Sequence, residues 1–122
     1  MRREVYDKLI EWKKNPDRKP LIIDGARQIG KTWIIQKFGK NEYKNVAYIN
    51  CDKIASMKTI FSDFDTNRLI RAFSAITEEV IVPGETLIIL DEIQESLLGL
   101  TALKYFCEDA REYHIIVAGS LL

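Results

Sequence analysis

A chain of 122 residues, 47% of them apolar and 30% charged, can bury a sizeable core and has the balance of an ordinary globular protein. No apolar run approaches the ~20 residues that a membrane span needs, and Met1-Arg2-Arg3-Glu4 leads into a charged stretch with no signal-peptide core. The expectation is therefore one cytoplasmic domain over residues 1–122, with an N-terminal helix and linker over 2–19 and no membrane partner.

Formal net charge is zero, but it is unevenly spread. Residues 1–45 carry 12 Lys/Arg against 6 Asp/Glu, and residues 46–122 carry the reverse. A basic first half suits a polyanionic ligand. The basic residues are interspersed rather than clustered with aromatics, so the signal for nucleic acid is weak. Cys51 and Cys107 lack metal or redox spacing and read as reduced thiols in or near the core.

The first element predicted is a helix over residues 2–14. Val5, Leu9 and Trp12 recur at i, i+4 and i+7 with Tyr6 and Ile10 beside them, and Asn15-Pro16-Asp17 ends it. Two readings stand for it: an ordinary packing helix, or one lying beside a nucleotide base. Leu21–Asp24 is then a short buried strand, followed by Gly25-Ala26-Arg27-Gln28-Ile29-Gly30-Lys31-Thr32.

This stretch fits G-x-x-x-x-G-K-[ST] at every fixed position, the phosphate-binding loop. Two glycines let the backbone curl so that successive N–H groups face phosphate oxygens. Lys31 places a cation on the β- and γ-phosphates, and the Thr32 hydroxyl can ligate Mg²⁺. The helix that follows adds the positive end of its dipole. It is predicted over Thr32–Phe38, with Ile34, Ile35 and Phe38 on one face and Gly39 at its C-terminus. The bland alternative is a glycine-containing turn that binds nothing; the strand before and the helix after count against it. Gly25 through Thr32, with Trp33 after them, make up the expected ATP-binding set.

Asn45–Asn50 is a second strand, and Asp52 reads as an N-cap for a segment carrying Ile54, Met57 and Phe61. A helix starting at Asp65 or Thr66 presents Leu69, Ile70, Phe73 and Ile76 on one face, and Pro83-Gly84 turns the chain. Thr86-Leu87-Ile88-Ile89-Leu90-Asp91-Glu92 follows, a strand apolar on both faces that ends in two acids at its carboxyl end, where ligands of open α/β sheets bind. This is the Walker B pattern. Asp91 is expected to hold the Mg²⁺ hydration shell, and Glu92 to orient or deprotonate an attacking water. Taken alone, the pair reads as solvated acids; a phosphate loop upstream shifts the reading. Leu97–Asp109 is a further helix and His114–Ala118 a fourth strand, followed by Gly119-Ser120. His114 lies at the wrong end of its strand for this chemistry and reads as structural. The β-α-β alternation implies a parallel sheet with right-handed crossovers.

Together, Gly-Ala-Arg-Gln-Ile-Gly-Lys-Thr, Leu-Ile-Ile-Leu-Asp-Glu-Ile-Gln and Ala-Gly-Ser-Leu-Leu resemble a prokaryotic family of AAA+ ATPases that pair an N-terminal ATPase module with a C-terminal domain of unknown function. The resemblance runs from the Tyr6…Trp12 helix through Leu103-Lys104-Tyr105-Phe106 to Ser120. It implies a three-layer α/β/α P-loop fold with strand order 1-4-3-2, Lys31 and Thr32 as Walker A, Asp91 and Glu92 as Walker B, and Ser120 as sensor 1. Ser96-Leu97-Leu98 departs from relatives, which often carry a proline there. Relatives also continue through a fifth strand, a helical lid and a C-terminal domain that looks nuclease-like in some classifications. By that comparison the chain reads as a fragment with no arginine finger or sensor 2, and with Leu21–Asp24 as an exposed apolar edge open to self-association.

Two functions are carried forward. One is an Mg²⁺–ATP-binding ATPase module, weakly hydrolytic alone. The other is a non-hydrolysing interaction or regulatory module left from a larger ATPase. A GTPase is disfavoured because Ile-Gln, not the D-x-x-G switch, follows the two acids and no N-K-x-D guanine reader occurs. A small-molecule kinase shows no acceptor site.

Overall fold

Apolar side chains on one stripe of a charged segment need a partner surface, and the computed structural model provides it. It describes residues 2–24, 31–53, 65–92, 108–109 and 111–119. The first helix, α1 (Arg2–Lys14), buries Leu9 against the second, α2 (Lys31–Glu42). Tyr6 packs edge-on to Phe38 with ring centres 5.7 Å apart, and its hydroxyl donates to Glu42 Oε2 at 3.2 Å. Lys13 Nζ donates to the Glu42 carbonyl at 2.6 Å, placing a cation at the negative end of α2. These contacts pack α1 against the C-terminal end of α2; the reading of α1 as a neighbour of a nucleotide base concerns the loop over 25–30, which lies outside the described residues.

Between these elements β1 (Leu21–Asp24), β2 (Asn45–Asn50), β3 (Thr86–Asp91) and β4 (His114–Gly119) form one parallel sheet in the order β1-β4-β3-β2. The order is the 1-4-3-2 expected of a P-loop fold. Register is set by alternation, since a slip of one residue would turn every side chain to the other face. Asn50 pairs with Asp91, Ile89 with Ile116, and Asp24 with Gly119.

The two faces bury different sets. On one, Leu87, Ile89 and Ile116 meet Ile34, Ile35 and Phe38 of α2 and Leu9 of α1. On the other, Ala47, Ile49, Ile88, Leu90, Ile115 and Val117 meet Leu69, Ile70 and Phe73 of the third helix, α3 (Thr66–Thr77). That is a three-layer α/β/α arrangement. Every residue of β3 is buried, and each large aliphatic side chain so removed from water is worth about 1.5–3 kcal/mol. Ile22 on β1 is 54% exposed and Leu21 and Ile23 are half-buried, so the strand read from the sequence as buried is only partly covered.

α3 begins as its sequence suggests. Asp65 caps it, Oδ1 accepting from the Asn67 and Arg68 N–H groups at 3.0 and 3.3 Å. The turn before β3 has Gly84 at φ 78°, the left-handed region that favours glycine.

One expectation fails. Gly39 does not end α2, which runs on to Glu42. Its role is close packing: a Cβ there would meet Val46 Cγ2 at 2.7 Å and Leu87 Cδ2 at 2.9 Å. The segment with Ile54, Met57 and Phe61, and the helix over Leu97–Asp109 except Glu108 and Asp109, lie outside the described residues, as does Cys107. Among the described residues no helix is long and apolar enough to cross a membrane.

Candidate functional site

Four parallel strands point the same way, so their carboxyl ends gather along one edge of the sheet. Asp24, Asn50, Asp91 and Gly119 close the four strands there. The first turn of α2 starts at the same edge, and the N–H groups of a helix's first turn, which have no acceptor within the helix, attract anions. Thr32, the second residue of α2, donates its hydroxyl hydrogen to Asp91 Oδ2 at 3.1 Å across 59 positions of sequence. The two motifs singled out in the sequence thus meet through one hydrogen bond.

Asp91 is 4% exposed. A buried carboxylate is costly unless donors surround it, and three do. Glu92 N–H reaches Oδ1 at 2.9 Å, while Oδ2 takes both Thr32 and the Tyr48 hydroxyl, the latter at 2.5 Å. Tyr48 has no place in the sequence motifs. It stands opposite Ile89 in the register, one diagonal step from Asp91 on the same face, a span that a long aromatic side chain covers. Burial, then the hydrogen bond to Asp91, raises the Tyr48 phenol well above its ordinary value, so it stays a donor. Cys51 donates its backbone N–H to the Asp91 carbonyl at 2.8 Å. Burial, with a smaller contribution from the Asp91 charge, pushes its thiol up to about 12, so it is not a nucleophile here.

Glu92 leaves the strand with φ 57°, the left-handed region that costs a non-glycine residue about 1 kcal/mol or more. β3 ends at Asp91, and Glu92 is partly exposed. Trp33 is 49% exposed, with Lys37 Nζ 4.8 Å from its ring centre.

Gly25, Ala26, Arg27, Gln28, Ile29 and Gly30 lie outside the described residues, as does Ser120, and of Lys31 only the backbone is described. Asp24, the residue before the loop, pairs with Gly119, the residue before Ser120. The donor set suits a hard divalent cation held lightly. Thr32 gives its hydrogen to Asp91 and keeps its oxygen lone pairs for a ligand. Among the described residues no cluster of three or more His, Cys, Asp or Glu side chains forms a metal cage.

At the opposite end of β4, His114 is 6% exposed and pairs through Nδ1 with the Tyr43 hydroxyl at 2.5 Å. Trp12 and Tyr43 meet its ring edge-on, with centres 5.8 and 5.2 Å away. Burial, then the charges of Arg18 and Lys13, lowers its pKa to about 4. It is a neutral core histidine remote from the carboxyl ends of the strands, as its position in the sequence implies.

A family model described as an AAA domain matches residues 17–122, from the linker before β1 to the last residue. The same question put to curated proteins finds no match.

Proposed function

The chain belongs to the AAA-domain family, matched over residues 17–122, and on that premise we propose that it is an ATP-binding module, dependent on Mg²⁺ and weakly hydrolytic on its own. The observation that carries this reading is the Thr32–Asp91 hydrogen bond, which holds the helix after the phosphate loop against the acid at the end of β3. In this reading the backbone of Gly25–Gly30 wraps the phosphates and Lys31 places its charge on the β- and γ-oxygens. Thr32 and Asp91 are the residues that would hold Mg²⁺, directly and through water. When bound, the metal would neutralise charge developing on the phosphate oxygens. Glu92 would orient an attacking water and take its proton as the β–γ phosphoanhydride breaks. Ser120, as sensor 1, would contact the γ-phosphate. Trp33 would border the nucleotide.

The test is nucleotide binding followed by Trp33 fluorescence in a Trp12→Phe background, with ATP and GTP in competition. ATP is expected to bind and to displace GTP. Glu92→Gln is expected to bind ATP like the parent protein and to show no turnover. Turnover equal to the parent's would remove the base assignment. Binding without turnover in the parent, even at high protein concentration, would replace this reading with that of a non-hydrolysing regulatory module.

A further inference from the structure

The Asp91 carboxylate, as an ion, offers about four acceptor positions. The described donors take three: Glu92 N–H on Oδ1, and Thr32 and Tyr48 together on Oδ2. Each comes from a different element, namely the strand's own continuation, α2 and β2. The first is a backbone group and moves only if the chain moves. The second belongs to a side chain whose oxygen is also a candidate ligand, so its orientation answers to the ligand. The third, Tyr48, comes from a ring packed against the Ile89 and Leu87 side of the sheet, and its hydroxyl has no other described partner. A phenylalanine would fill the same space and lose only the donor.

We propose that Tyr48 is a positioning residue for this site: by holding Asp91 Oδ2 from the β2 side, its hydroxyl fixes the carboxylate plane and leaves one acceptor position, on Oδ1, for the water shell of a divalent cation. The inference rests on the ATP-binding reading above and deepens it by assigning cation coupling to a residue outside both motifs. It also gives β2 a task at this edge of the sheet. Partners of metal-holding groups are worth about 10–100-fold in metal affinity where they have been removed. Tyr48→Phe should therefore weaken the linkage between Mg²⁺ and nucleotide by about 10-fold.

The experiment measures ATPγS affinity by calorimetry in excess Mg²⁺ and in EDTA, for the wild-type protein, Tyr48→Phe and Tyr43→Phe. The ratio of the two affinities is the readout, because a change in packing alone would shift both. Tyr48→Phe is expected to lower the ratio about 10-fold. Tyr43→Phe alters a buried tyrosine on the same face but at the other end of the sheet, and should leave the ratio at the wild-type value. An unchanged ratio in Tyr48→Phe overturns the positioning role while leaving the ATP-binding reading intact. No ATPγS binding by the wild-type protein overturns both. If Tyr48→Phe does not fold, wild-type protein carrying [ζ-¹³C]tyrosine decides. A resonance that moves when Mg²⁺ joins bound ATPγS, and is assigned to Tyr48, supports the role; a Tyr48 resonance that stays still overturns it.

Discussion

Gly39→Ala sets two known effects against each other inside α2. Alanine is the better helix former by about 1 kcal/mol, and Gly39 sits three residues before the helix end at Glu42 with no left-handed φ to excuse it. On propensity alone the substitution would stabilise. The added Cβ, however, would stand 2.7 Å from Val46 Cγ2 and 2.9 Å from Leu87 Cδ2, closer than carbon atoms tolerate. Val46 is β-branched and stiff at χ1, and Leu87 is fully buried, so neither can swing into solvent. Overpacking of this kind costs about 1–3 kcal/mol, and with two rigid neighbours we take the upper part of that range. The clash wins, for a net destabilisation of about 1–2 kcal/mol, or roughly 4–8 °C in melting temperature for a chain of this size. Urea titration of wild-type protein, Gly39→Ala, Val46→Ala and the double variant would measure it. The double variant should recover part of the loss through a coupling energy of about 0.5 kcal/mol or more. A Gly39→Ala protein as stable as wild type, or more stable, would show that α2 does not press on the sheet at this point.

Gly84→Ala should cost about 1 kcal/mol for a different reason, its φ of 78° with nothing within 4 Å of the added atom; no neighbouring truncation should rescue it in the same titration. His114 gives stability a pH dependence. The unfolded imidazole takes its proton near pH 6.5, whereas the folded one, lowered by burial, does so only near 4. Below pH 6.5 the unfolded state therefore binds more protons, and stability falls as pH drops from about 6.5 to 4, by up to about 3 kcal/mol. Melting profiles of wild-type protein and His114→Gln across that window should differ in slope, with the variant flatter. Equal slopes would contradict the neutral buried state.

Much of the fold was legible because its elements carry their own periodicity. The i, i+3, i+4 stripes of α1 and α3 and the continuous apolar runs of β3 and β4 are local signals, and each element lies where its residues imply. The strand order 1-4-3-2 was not local: the alternation of elements requires only a parallel sheet, and the order came from resemblance to a family. Gly39 was misplaced because a glycine after an apolar helical face reads equally as a terminus or as a close approach. Only Val46 and Leu87, from two other elements, tell them apart. At the site, Thr32 and Asp91 drew attention in the sequence because each sits in a motif, and the structure joins them by a hydrogen bond. Tyr48 did not, since its contact with Asp91 depends on the register that sets Asn50 beside Asp91. The signal was present in parity alone: counting back two from the end of β2 puts position 48 on the face that Asp91 shares. The pairing of Tyr43 with His114, 71 positions apart, left no trace in either local sequence.

The central claim is that the α2 start and the β3 end form a nucleotide site, and thermal melting tests it most directly. Wild-type protein and Lys31→Ala would be melted with and without Mg²⁺–ATPγS. At 100 times its dissociation constant a ligand stabilises by about 2.7 kcal/mol, so wild-type protein should melt several degrees higher with ligand, and Lys31→Ala should not move. A cooperative wild-type melt that stays in place at saturating Mg²⁺–ATPγS would mean that the sheet edge holds its two motifs together for some purpose other than binding ATP.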